Sequence, residues 1–183
     1  MRFLNGLLTA GLLATLAAAA DGKFTLTGEN TKVQWVGAKK EGKHNGGFKK
    51  LSGTATVTGT DPATAKIEVT IETDSLYSDN EKLTGHLKSP DFFDVKTNPT
   101  AKFVSTKVEA LPDHKGVYKV TGELTLNGKK KVISFPARIT VEGGALKLDS
   151  EFKIGRLDFD LGSKFPPERI YNEVTLKVNV NAK

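Results

Sequence analysis

From Asp21 to the end of the chain, apolar and polar side chains alternate in run after run, the period of two that marks strands with one buried and one wet face. The clearest run sets Ala65, Ile67, Val69 and Ile71 against Lys66, Glu68, Thr70 and Glu72. Shorter or longer runs of the same kind hold Val33 and Trp35, Leu51 to Val57, Tyr118 to Leu126, Ile133 to Val141, Leu146 to Ile154 and Val174 to Val180. Ala101, Phe103 and Ser105 form a weaker one. Asn127-Gly128 and Gly143-Gly144 each sit between two runs, where a two-residue type I′ turn needs residues that tolerate positive φ. Strands joined so tightly must be antiparallel, because a parallel return needs a crossover of about a dozen residues.

The runs number roughly eight, several of them longer than the usual strand. Their apolar faces must share one interior, in a closed barrel or a sandwich. Closure removes exposed edges, which favours the barrel. One stretch breaks the alternation. Over residues 79–88, cap-like Asp79 and Asn80 precede Leu83 and Leu87, four apart and so on one helical face, and Ser89-Pro90 ends the segment. The expected fold is therefore all-β, an extended antiparallel eight-stranded barrel with a short helix closing one end. Phe92-Phe93 follows that helix and must be at least partly buried, as a plug of the barrel or a wall of a cavity.

The first 20 residues have another character. Arg2 is the only charge before Asp21, Leu7 to Ala20 is almost wholly apolar, and Ala18 and Ala20 fit an A-x-A cleavage rule. The apolar run is shorter than the ~20 residues a bilayer crossing requires. Residues 1–20 read as a signal peptide cleaved near Ala20, residues 21–183 as one mature domain, and the destination as the periplasm or the exterior. With no cysteine, the chain has neither disulfides nor a lipid anchor on cysteine. The net charge of +6 is spread among interspersed acids. That balance permits transient contact with a membrane surface but does not require it. Lys129-Lys130-Lys131 has no interleaved aromatics, so no nucleic-acid partner is expected.

Catalytic constellations are missing. The three histidines have no metal-ligand spacing, and neither a G-x-S-x-G elbow nor a Walker-type loop occurs. Asp158 and Asp160 flank Phe159 as a solvated pair or as partners for Arg156. No cofactor, metal or catalytic residue is expected.

Several segments in order, His44-Asn45-Gly46-Gly47-Phe48, His86 to Asp94 (H-L-K-S-P-D-F-F-D), Gly122 to Gly128 and Arg156-Leu157-Asp158-Phe159, resemble the YceI-like polyisoprenoid-binding family over essentially the whole mature chain. The chain departs from the family pattern at Asp160, where a glycine is usual, and at Gly85. The resemblance implies a lipocalin-like periplasmic barrel that encloses an isoprenoid lipid, a quinone or a prenyl phosphate, without catalysis. On alternation, Trp35, Val69, Phe103, Val120, Leu124, Phe135 and Phe152 are the expected lining, with Leu83, Leu87, Phe92 and Phe93 closing an end. His86 and Arg156 are the candidates for a polar head group. Small residues at Gly53, Ala55, Gly122 and Ala137 favour a hollow centre. The competing expectation is a solid-cored barrel acting as a protein-interaction or stress-response module, and either reading leaves a homodimer open.

Overall fold

The computed structural model describes residues 21–183. The signal peptide expected over residues 1–20 lies outside the described residues. The elements are β1 (Gly22–Thr27), β2 (Thr31–Lys39), β3 (Gly42–Phe48), β4 (Leu51–Val57), β5 (Lys66–Glu72), β6 (Leu76–Ser78), α1 (Glu81–Lys88), β7 (Thr100–Ala110), β8 (Val117–Leu126), β9 (Lys129–Glu142), β10 (Ala145–Gly155) and β11 (Ile170–Ala182). All the strands join one antiparallel sheet in the order β1-β4-β5-β7-β8-β9-β10-β11-β2-β3-β6.

The sheet curls into a barrel whose two ends meet through chain corners. β1 runs into β2, β3 into β4 and β5 into β6, each pair lying at opposite ends of the strand order. Backbone bonds stitch this seam, where Lys49 N–H donates to Ser75 O and Glu72 N–H donates to Lys50 O.

The fold class is the one expected from alternation, but there are eleven strands instead of about eight. The additional strands are β1, β3 and β6. β6 has three residues, too few to show a period, and β1 carries only Phe24 and Leu26 as apolar markers. β3 reads as a polar, glycine-rich loop because its neighbour covers it. A Cβ on Gly46 would lie 2.3 Å from Cζ2 of Trp35, so the indole of β2 occupies the space a side chain of β3 would fill.

Both predicted hairpins form. Asn127 and Gly128 have φ of 49° and 70°, and Gly143 and Gly144 have 58° and 73°, as a type I′ turn demands.

The interior is not uniform along the barrel axis. The end away from α1 is packed solid around Phe24, Leu26, Ala55, Val57, Val120, Ala137, Ile139 and Leu146, all at most 4% exposed. The small residues expected to leave open space do not. Ala55 and Ala137 lie in this floor, and a Cβ on Gly122 would sit 2.4 Å from Cζ of Phe103, so that ring fills the position. Nearer α1 the wall is looser. β9 and β10 pair only from Glu142↔Ala145 to Arg138↔Asp149, and beyond them Pro136 has no N–H to continue the ladder. There the strands are bridged by side chains, with Phe135 stacked on Phe152 at 4.2 Å between centroids.

Candidate functional site

α1 sits over the hollow end because its termini are fixed locally. Asn80 Oδ1 accepts the Leu83 N–H at 2.9 Å as an N-cap, and Ser89 before Pro90 terminates the helix. The chain then folds back beneath the helix, with Phe93 N–H donating to Leu87 O at 3.0 Å. This carries Phe92 and Phe93 inward: Phe92 is buried and stacks on Phe165, and Phe93 meets Phe48 edge to face at 5.9 Å.

Beneath this cover lie two apolar chambers. The outer one, about 160 Å³, is walled by Trp35, Gly37, Phe48, Leu87, Phe92 and Phe93, with Ile154, Leu161, Ile170 and Val174 among the rest. The inner one, about 120 Å³, is walled by Ile67, Val69, Phe103, Phe135, Phe152 and Val178 among others. Val33, Ile71, Leu124 and Leu176 belong to both walls, so the chambers are consecutive along one axis. Only Arg156 in the outer wall and Thr31 in the inner are polar.

Arg156 is 3% exposed and has no carboxylate partner among the described residues. All five guanidinium N–H groups are instead given to backbone carbonyls. Nε donates to Tyr171 O, one terminal nitrogen to Leu161 O and Gly162 O, and the other to Phe165 O and Ile170 O. Burial lowers its pKa from the ordinary guanidinium value. The side chain thus gathers residues 161–171 into a closed loop over the barrel end. Asp158 and Asp160 do not pair with it; Asp160 pairs with Lys129 at 3.0 Å. Asp160 has φ of 54°, a left-handed position that glycine fills at least cost and that aspartate tolerates.

A polar latch joins this loop to the α1 segment. Asp91 accepts from Lys164 Nζ at 2.6 Å and faces His86 Nε2 at 3.4 Å, while the His86 ring meets Phe92 and Phe165 edge to face. Lys164 first, then His86, hold the Asp91 carboxyl below its usual range. A carboxylate so depressed contributes stability above its unfolded pKa and loses it as pH falls through the folded one. Asp91→Asn is therefore expected to flatten the fall in melting temperature on the acid side of the ordinary carboxylate range. A thermal-melt series in that range, wild type beside variant, checks it.

The family profile for the YceI-like domain matches residues 18–182. The chain belongs to the YceI-like family. A UPF0312 protein of Pseudomonas putida is 38% identical over 136 residues, covering 74% of this chain and 70% of that protein. One from Pseudomonas aeruginosa is 33% identical over 147 residues, covering 72% and 75%. Among solved structures, BcnA of Burkholderia cenocepacia superposes with a TM-score of 0.75 at 28% identity, covering 84% of this chain and 96% of that one. A polyisoprenoid-binding domain from Saccharophagus degradans, implicated in plant cell wall breakdown, shares the fold with a TM-score of 0.68 at 15% identity, covering 88% and 98%.

Within this YceI-like barrel the expected residues fall into three groups. Trp35, Leu87, Phe92 and Phe93 line the outer chamber, Val69, Phe103, Phe135 and Phe152 the inner, and Leu124 both. Val120 and Leu83 line neither. Val120 is fully buried in the solid floor, since alternation says which way a side chain points and not how deep along the axis it lies. Leu83 is half-buried on α1, one turn before Leu87. His86 lies in the latch outside both walls, and Arg156 has no donor left for a head group. Alternation already held the signal for Val33, Ile71 and Ile154, which share strand faces with named lining residues, and for Leu176, which lies on the apolar face of the last run, Val174 to Val180. Phe48 required recognition of β3, and Leu161 and Ile170 are placed by the Arg156 loop, which has no period.

Proposed function

We propose that this protein binds, stores or transports a long-chain isoprenoid lipid without catalysing a reaction. The observation that carries the reading is two consecutive chambers walled almost wholly by apolar side chains, the one charged wall residue, Arg156, giving all its N–H groups to backbone carbonyls. Each is near the size of an apolar cavity that stays dry and binds benzene, about 150 Å³. A branched five-carbon unit suits such a space, and successive units fit consecutive chambers by passing between Leu124 and Leu176. At about 0.8 kcal/mol per buried methylene, one unit contributes about 4 kcal/mol before ordering costs. The Saccharophagus domain, a polyisoprenoid-binding domain of the same fold, supports the same ligand class.

The chemistry requires only burial. Export to the periplasm or the exterior is part of the proposal and rests on residues 1–20. Lys39 and Lys40, just beyond Gly37 of the outer wall at the end of β2, would favour transient contact with anionic lipid head groups during loading.

Native mass spectrometry of the protein purified from its own host tests the reading. The expected spectrum shows a second species heavier by one lipid, released on solvent extraction. A spectrum of bare protein only, unaltered after incubation with isoprenoid vesicles, would contradict it.

A further inference from the structure

We propose that the barrel takes in two prenyl units of the lipid, its tail-end carbons, and no more, so that in a longer chain the units nearer the head stay outside. The inference rests on the lipid-binding reading above and gives that site a capacity and a direction.

Capacity follows from volume. An apolar cavity of about 150 Å³ holds the carbons of one benzene ring. On that scale the outer chamber, about 160 Å³, takes about six carbons and the inner, about 120 Å³, about five. Together they hold two branched five-carbon units with almost nothing to spare.

The inner chamber is a blind end. Leu26 and Leu148 stand in its wall at 1% and 5% exposure, and both belong to the close-packed cluster that includes Val57, Ile139 and Leu146. A third unit could enter only by displacing these side chains, and overpacking a dense core is destabilising. A hollow lined by Lys32, Lys147, Asp149, Asn179 and Asn181 shares only Val180 with the inner chamber, and its charged walls offer hydrocarbon no continuation.

Direction follows from polarity. A head group pushed to the blind end would lose its water among apolar side chains, where the one polar residue, Thr31, already gives its hydroxyl to Asn30 Oδ1 at 3.0 Å. The only charge in either wall is Arg156 in the outer one, a buried guanidinium that no carboxylate balances among the described residues. Its N–H groups are spent on carbonyls, but its field remains and draws an anionic head toward the α1 end of the path. Tail-first entry satisfies both walls.

Prenyl alcohols of one, two, three and four units, titrated below their aggregation limits, test the capacity. Trp35, the only tryptophan of the chain and part of the outer wall, reports binding by its fluorescence. From one unit to two, Kd is expected to fall at least about a hundredfold; each further unit should change it less than about threefold. Phe135→Ala removes a ring of about one unit's size from the inner wall and is expected to move the break from two units to three, with far-UV circular dichroism checking that the variant is folded. For direction, the two-unit monophosphate should bind at least as tightly as the two-unit alcohol. A second hydroxyl at the tail end of that alcohol should weaken it at least about tenfold.

A third or fourth unit that tightens wild type as much as the second, a tail-end hydroxyl without effect, or a monophosphate weaker than the alcohol would overturn the proposal while leaving lipid binding intact. So would a folded Phe135→Ala protein whose break stays at two units; if that variant does not fold, the wild-type series decides alone. If none of the four alcohols binds wild-type protein, the lipid-binding reading falls and this inference with it.

Discussion

Arg156→Met is expected to lower the melting temperature by about 10 °C. The substitution keeps much of the aliphatic stem and removes donors from five carbonyls, at Leu161, Gly162, Phe165, Ile170 and Tyr171. Leaving a buried acceptor unpaired costs about 1–3 kcal/mol, and the outer members of this set can turn to water. A net loss of about 4 kcal/mol remains, which in a domain of this size corresponds to about 10 °C. Lysine restores the charge but not the planar fork, so Arg156→Lys should recover less than half of the loss. Thermal melts followed by far-UV circular dichroism measure both. An Arg156→Met protein as stable as wild type would show that the loop over residues 161–171 is held by packing alone.

The second large effect separates container from core. Leu176 lies where the chambers join, paired across the sheet with Trp35 on one side and Phe152 on the other. Leu176→Trp fills that junction and denies the inner chamber to a chain entering beneath α1. Excluding one five-carbon unit forfeits about 4 kcal/mol gross, so isoprenoid affinity is expected to fall at least about a hundredfold after relaxation. Stability should hold or rise, because the added ring enters space instead of displacing neighbours. Ile139→Ala is the complement: Ile139 is 1% exposed in the solid floor, so its truncation should cost about 3 kcal/mol and leave affinity unchanged. Lipid titration and chemical denaturation on both variants give the crossed result. If Leu176→Trp bound lipid as well as wild type, the junction would not be on the ligand's path.

Most of the barrel was legible because a half-buried strand writes its burial into a period of two. The long strands β5 and β7 to β11 all carry it, and the hairpin turns carry the residues that positive φ selects. What could not be read was information held by a partner element. β3 lost its period because Trp35 covers Gly46, and Val120 pointed inward as expected but into the floor and not the void. Arg156 is a related case. A lone arginine beside Asp158 and Asp160 suggests a charge pair or a phosphate ligand, yet its partners are carbonyls of a loop whose conformation no local pattern encodes. The Phe92-Phe93 pair was readable as cover because two aromatics in a connection must find an apolar surface; which surface depended on Phe165 and Phe48, distant in sequence.

The most direct measurement is a crystal structure of the protein with a linear isoprenoid bound. The expected map shows continuous tubular density that begins beneath Phe92 and Phe93, passes between Leu124 and Leu176, and ends against Phe135 and Phe152 above the solid floor. Side chains closed across that passage, with the lipid lying on the outer face of the sheet, would contradict it.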